Sequence, residues 1–277
     1  MSCCRCGRHL SVKPTILETI KQCDPDEKCF QCFIGNPTSY TVRTISKEDA
    51  LASREYLKAN NMTMTVHANY LINLCREGPG MEKVLEPSTL CLQKTLNELH
   101  KIGEDCTNVV FHVGAKGSIN TLCENLNSME IKVPLLAENA AGEGSKLGST
   151  FEDMRKILEG TDSNKIGFCF DSCHSFSAAQ CDFRDPSSLE KYFDTIDDLF
   201  SDRKVILHHN DSLTELGGRV DRHSPIGYAQ IWNLHQPETL RTLERYYERA
   251  IMSGLDIIWE TPNPYSKQLE MDLYKTL

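Results

Sequence analysis

Val109-Val110-Phe111-His112, Phe168-Cys169-Phe170-Asp171 and Val205-Ile206-Leu207-His208 share one design: a short apolar run that stops on a side chain able to bind a metal or carry a proton. Three further segments repeat it. Met62–Val66 runs into His67, Leu135-Leu136-Ala137 into Glu138, and Ile257-Ile258-Trp259 into Glu260. Apolar runs of this length read as buried strands. With Cys4–Leu10 and Cys29–Ile34 upstream, the candidate strands are Cys4–Leu10, Cys29–Ile34, Met62–Val66, Asn108–Phe111, Pro134–Ala137, Ile166–Phe170, Lys204–Leu207 and Asp256–Trp259.

Helical periodicity fills the intervals between strands. Ser187-x-x-Glu190 reads as a capping box opening a segment with Leu189, Tyr192, Phe193, Ile196, Leu199 and Phe200 on one face. Pro237 starts another, with Leu240, Leu243, Tyr247 and Ile251 recurring before Gly254. A third runs near Thr89–Ile102 and ends at Gly103. Eight strand–helix units in 277 residues match the size of a closed (β/α)8 TIM barrel, a single domain over 1–277. A doubly wound open sheet is the alternative, but no G-x-G-x-x-G follows the first strand.

In a parallel barrel, six consecutive polar strand ends gather at the C-terminal mouth, where active sites of this architecture lie. Three imidazoles and three carboxylates there are strongly desolvated unless a cation joins them, and a divalent metal cluster is the simplest resolution. The N and O donor set suits zinc or manganese. Asp171-x-x-His174 and Asp221-x-His223 bring the candidate ligands to nine: His67, His112, Glu138, Asp171, His174, His208, Asp221, His223 and Glu260. That is enough for three metals if some carboxylates bridge. His9, His100, His209 and His235 read as ordinary histidines, and His209, following a candidate ligand, faces the other side of its strand.

Composition narrows the setting. No run approaches the ~20 apolar residues of a membrane-spanning helix. The N-terminus lacks an apolar segment with a cleavage site, so an intracellular protein is expected. Thirteen cysteines, an odd number, read as reduced thiols rather than a disulfide framework. Cys3/Cys6 with Cys29/Cys32 could form a zinc ribbon, although Cys4 then has no role; small buried hydrophobes on neighbouring strands is the simpler reading.

The motifs around these residues resemble endonuclease IV. They are Val66-His67-Ala68-Asn69-Tyr70-Leu71, Glu138-Asn139-Ala140-Ala141-Gly142-Glu143-Gly144, Asp171-Ser172-Cys173-His174, His208-His209-Asn210-Asp211-Ser212, Asp221-Arg222-His223 and Glu260-Thr261-Pro262. The resemblance runs in register from Gly7-Arg8-His9-Leu10-Ser11 to Glu260. It implies a zinc-dependent apurinic/apyrimidinic endonuclease on a (β/α)8 barrel. His67, His112 and Glu138 would hold one zinc. Glu138, Asp171, His208 and Glu260 would hold a second, and His174, Asp221 and His223 a third, with manganese an option at one position.

By the same resemblance, Glu138 and Glu260 are the catalytic carboxylates and Glu260 orients or deprotonates the nucleophile. The partner implied is duplex DNA with abasic sites, the DNA contacts are Tyr70, Arg222, Asn210 and Lys146, and a monomer is expected. Tyr70 would wedge into the base stack. The formal charge of -9 then poses no obstacle, since three zinc ions bring it to about -3. The chain departs from the family pattern at Thr38, where a basic residue is usual, at Ser175–Asp182, and at Ala229. Competing readings are a metal-dependent sugar isomerase or epimerase on the same barrel, and a non-catalytic DNA-binding relative.

Overall fold

The computed structural model describes residues 5–233, 236–261, 268 and 272. Eight parallel strands close into a barrel: β1 (Cys6–Leu10), β2 (Cys29–Cys32), β3 (Thr63–His67), β4 (Thr107–His112), β5 (Leu135–Glu138), β6 (Ile166–Asp171), β7 (Val205–His208) and β10 (Asp256–Trp259). β10 pairs with both β7 and β1, which closes the ring. Two short strands, β8 (Asp211–Ser212) and β9 (His223–Ser224), form a separate antiparallel ribbon at the mouth. The helices are α1 (Ile16–Ile20), α2 (Lys47–Ala59), α3 (Glu82–Ile102), α4 (Ile119–Asn127), α5 (Phe151–Gly160), α6 (Ser172–Ser177), α7 (Pro186–Phe200) and α8 (Pro237–Met252). The segment after β10 lies mostly outside the described residues. Among the described residues no helix is long and apolar enough to cross a membrane.

Alternation along the strands builds the barrel interior. Cys29, Val110, Leu136, Cys169, Ile206 and Ile258 form an apolar cluster of their own, one residue from each of six strands. Side chains of opposite parity, such as Phe30, Val109, Phe111, Phe168 and Phe170, join the larger core under the helices. Burying each aliphatic member contributes roughly 1.5–3 kcal/mol relative to exposure. The parity also settles the cysteine question for the residues described. Cys29 belongs to the inner cluster and Cys32 to the outer core, so the two thiols face opposite sides of β2 and do not share an ion. Cys3 and Cys4 lie outside the described residues, as does His235.

All eight expected strands are present, and five extend further than expected, to include their terminal His or acid. The helices differ in detail. Asp185, not Ser187, caps α7: its side chain accepts from the Ser188 amide at 2.9 Å, with Pro186 in the first turn. Glu190 is instead turned to Arg245 and Arg249 on α8. The Ser187–Glu190 pattern therefore falls two residues past the true cap, because Asp185 followed by Pro186 is the stronger start signal. α3 begins at Glu82 and passes through Pro87. On α8 the buried face is Leu243, Tyr246, Tyr247 and Ala250, whereas Leu240 is exposed.

Candidate metal centre

Two residues further along each strand than the inner apolar cluster, the inward positions turn polar. Val110 is followed by His112, Leu136 by Glu138, Cys169 by Asp171, Ile206 by His208 and Ile258 by Glu260. On β3 the same face ends at His67. The strand register aligns these ends directly: His112 pairs with Glu138, and Asp171 with His208. The polar layer thus inherits the rigidity of the barrel rather than depending on loop conformation.

The other three expected ligands enter from the mouth. Asp171 caps the short helix α6 by accepting from the His174 amide at 2.8 Å, and this fold-back turns His174 over the centre. The β8–β9 ribbon carries His223 in and brings Asp221 beside it. His174 Nε2 lies 3.1 Å from Asp221 Oδ2, and His223 Nε2 lies 3.2 Å from Asp221 Oδ1 and 3.5 Å from Asp171 Oδ2. All nine expected ligands come together. Their donor atoms converge in overlapping groups: His67, His112 and Glu138; Glu138, Asp171, His208 and Glu260; and Asp171, His174 and His223, with Asp221 grouped with His223.

On His67 and His174 the hydrogen bond on the far side of the ring shows which nitrogen faces the centre. His67 Nδ1 donates to the Ala68 carbonyl at 2.7 Å, so Nε2 is the nitrogen that faces Glu138 Oε2, at 3.2 Å. His174 Nδ1 donates to the Asn139 carbonyl at 2.8 Å, and Nε2 faces Asp221 with no hydrogen-bond partner. His223 Nε2 is likewise buried without one. Lone pairs aimed at carboxylates repel unless a cation, proton or metal, lies between them. The residues present therefore fit a group of divalent ions.

The electrostatics agree. Burial opposes charge on His174, yet Asp171 and Asp221 push its pKa up to about 10. His208 is held well above its ordinary value against burial by Cys169, Glu260 and Glu138. Glu138 is held well below the carboxylate range by His112 and His208 despite full burial. Glu260 falls to about 2, with burial again outweighed, chiefly by His208. His112 goes the other way, down to about 4, because desolvation exceeds the attraction of Glu138. The centre is a pocket of negative potential that takes up positive charge.

Among the expected DNA contacts, Tyr70 lies on the mouth, 53% exposed, with its ring edge-on to Phe33 at 5.4 Å and His67 at 5.4 Å. Its amide donates to the Pro37 carbonyl, and Thr38 in that turn bonds to Asn36 Oδ1. Arg222 and Lys146 also line the cavity, although Lys146 is paired with Glu143. Asn210 is a correction. It is fully buried, and its Nδ2 donates to Asp171 Oδ2 at 2.6 Å and Glu260 Oε2 at 2.9 Å, so it faces two of the candidate ligands and not solvent. His209 faces outward as expected, stacked on Trp232 at 4.6 Å.

The mouth is a cavity of about 980 Å³ between the ligands and the loops after β3, β4 and β5. Those loops are stitched by single antiparallel bridges, Arg76 to Gly117 and Ala115 to Lys146. Gly117 is required there, since a Cβ would lie 1.4 Å from the Cys75 carbonyl oxygen.

Residues 28–273 match the family described as xylose isomerase-like TIM barrel. The chain is 31% identical over 268 residues to the protein named probable endonuclease 4 of Aquifex aeolicus, covering 90% of this chain and 93% of that one. The chain belongs to the endonuclease IV family. Its structure is similar to that of endonuclease IV from Thermus thermophilus, with a TM-score of 0.78, 26% identity and 98% of each chain covered. A D-tagatose 3-epimerase-like protein shares the fold alone, with a TM-score of 0.63 and 16% identity over 98% of this chain and 96% of that one.

Two residues of this endonuclease IV-family centre escape a reading by strand ends. His9 and Gln31 occupy the same inward layer on β1 and β2, and His9 pairs with Gln31 in register. Both strands run on past them, so neither residue is terminal. The usable signal was alternation: Gln31 follows inward Cys29 by two and is the one polar side chain in Cys29–Ile34.

Proposed function

We propose that this chain hydrolyses the phosphodiester on the 5′ side of an abasic site in duplex DNA, leaving a 3′-hydroxyl and a 5′-deoxyribose phosphate. The single observation that carries the reading is that Nε2 of His67 and Nε2 of His174, each selected by a backbone carbonyl on Nδ1, both turn onto carboxylates around one cavity. His67, His112 and Glu138 would hold the first zinc; Glu138, Asp171, His208 and Glu260 the second; and His174, Asp221 and His223 the third, with manganese able to replace zinc at one position. When bound, such ions lower the pKa of water from 15.7 towards ~7 and offset charge on phosphoryl oxygens.

The chain's own residues do the rest. Glu138 bridges the first two groups, one oxygen 3.2 Å from His67 and His112 and the other 2.8 Å from His208. Glu260 has both oxygens held by amide donors, Gln31 on one and Asn210 on the other. Such a carboxylate is a weak base, so Glu260 orients the attacking water rather than holding its proton. Tyr70 projects beside the cavity, where its ring can occupy the space of a missing base and admit the flipped sugar. Arg222, beside Asp221 on the cavity wall, would meet the phosphate backbone, with Lys146 nearby.

The third ligand group supports this reading over a sugar isomerase or epimerase, because His174, Asp221 and His223 add a position that proton transfer on a free sugar does not need. Metal analysis with a nicking assay on duplex DNA carrying one abasic site tests it. About three zincs per chain and chelator-sensitive incision are expected. Turnover of a free ketose without incision would sink the nuclease reading in favour of the epimerase. Full zinc occupancy with DNA binding but no incision would leave only a binding module.

A further inference from the structure

We propose that Gln31 is a positioning residue for the second metal position, fixing both His208 and Glu260 from β2 across the barrel interior. The inference rests on the metal-centre reading above. Gln31 is fully buried on β2, and its amide has three polar neighbours. Nε2 is 2.8 Å from Glu260 Oε1, Oε1 is 2.8 Å from His208 Nε2, and Nε2 is also 3.2 Å from His9 Nδ1.

The chemistry of these partners leaves one assignment of hydrogens. An ionised carboxylate only accepts, so the amide atom facing Glu260 is the NH2 group. The amide oxygen therefore faces His208, whose Nε2 must carry a hydrogen. In the neutral ring that binds a metal, Nδ1 is then the nitrogen left to offer its lone pair, and it faces Glu138 Oε1, 2.8 Å away, and Glu260 Oε2, 3.4 Å away. The second amide hydrogen goes to His9 Nδ1, so a neutral His9 carries its own hydrogen on the other ring nitrogen. Burial brings the His9 pKa down to about 4, consistent with that neutral state.

The arrangement repeats on His208 what backbone carbonyls do for His67 and His174. There a peptide oxygen selects the tautomer; here the amide oxygen of a side chain on another strand takes that place at Nε2. Gln31 does more than a carbonyl could, because the same amide also holds Glu260. With Asn210 on the other carboxylate oxygen, Glu260 is pinned at both ends, and the rotation of two ligands is removed before any ion arrives. A buried amide placed only to fill the barrel would need no such match of donors and acceptors.

The test uses the full chain with Gln31→Met, which keeps length but no hydrogen bond, and Gln31→Glu, which keeps an acceptor for His208 and loses the donor to Glu260. Zinc affinity is read by chelator competition, and the His208 tautomer by 15N shifts of the zinc-loaded protein. Gln31→Met should bind one of the zinc ions about 10–100-fold more weakly and lose the single His208 tautomer. Gln31→Glu should weaken zinc while keeping that tautomer. Wild-type zinc affinity with unchanged His208 shifts in Gln31→Met overturns the proposal. If that variant does not fold, wild-type zinc affinity in Gln31→Glu overturns it. Wild-type protein that holds zinc tightly but leaves abasic DNA intact would count against the nuclease reading alone.

Discussion

Asn210 Nδ2 donates to Glu260 Oε2 at 2.9 Å, tying the chain just past β7 to the end of β10. The same group reaches Asp171 Oδ2 at 2.6 Å, so one amide separates the buried Asp171 carboxylate from that of Glu260, which would otherwise repel it. Asn210→Asp would set a third carboxylate against them. We expect that variant to melt below wild type when metal-free, with the gap narrowing in excess zinc, because added cations relieve the repulsion. Thermal melts with and without zinc check this; an equal deficit in both conditions would refute it.

Metal removal should expose a pH-dependent stability in the protein. His174 rises from 6.5 to about 10 in the fold, so its contribution is complete below pH 6.5 and is lost as pH climbs to about 10. His9 and His112 fall to about 4, and His209 to about 3, through burial, so the unfolded chain takes up protons first and stability is lost as pH drops below 6.5. Metal-free protein should therefore be most stable near pH 6.5. Denaturant unfolding at pH 5, 6.5 and 9 measures it, and a steady rise through pH 9 would contradict the assignment. Zinc should flatten the upper limb by taking the place of the proton on His174.

Tyr70 contributes a ring at the mouth rather than a bond within the fold. Tyr70→Ala should keep its zinc and lie within about 1 kcal/mol of wild-type stability. Its preference for abasic over intact duplex should drop by about 10-fold or more, roughly the value of one lost stacking contact. Competition binding with the two duplexes decides, and unchanged preference would return Tyr70 to a packing role.

Arg249 offers a control remote from the centre. It is nearly buried between α7 and α8, bonded to Glu190, Asp194 at 2.8 Å and Asp197 at 3.2 Å. Its acidic partners are partly exposed and can be re-solvated. Arg249→Met should therefore cost only about 2 kcal/mol of stability, the scale of a charged hydrogen bond, while zinc content stays at the wild-type level. A loss of zinc in the folded variant would show that the two regions are coupled.

The amino-acid sequence by itself determined the strands, the barrel and the nine candidate ligands, because each rests on a local pattern: an apolar run, its alternation, and a polar residue where the run stops. His67, His112, Glu138, Asp171, His208 and Glu260 are legible in this way, and the Asp-x-His and Asp-x-x-His pairs add the rest. Only the tertiary structure decided the parts played by Gln31 and Asn210. Gln31 meets His208 and Glu260 across 177 and 229 residues of chain. Asn210, which follows two histidines as a surface contact might, is drawn inward by carboxylates 39 and 50 positions away. An amide reads the same in sequence whether it meets solvent or a carboxylate; its partners exist only once the barrel has closed and brought distant strand ends within hydrogen-bond reach.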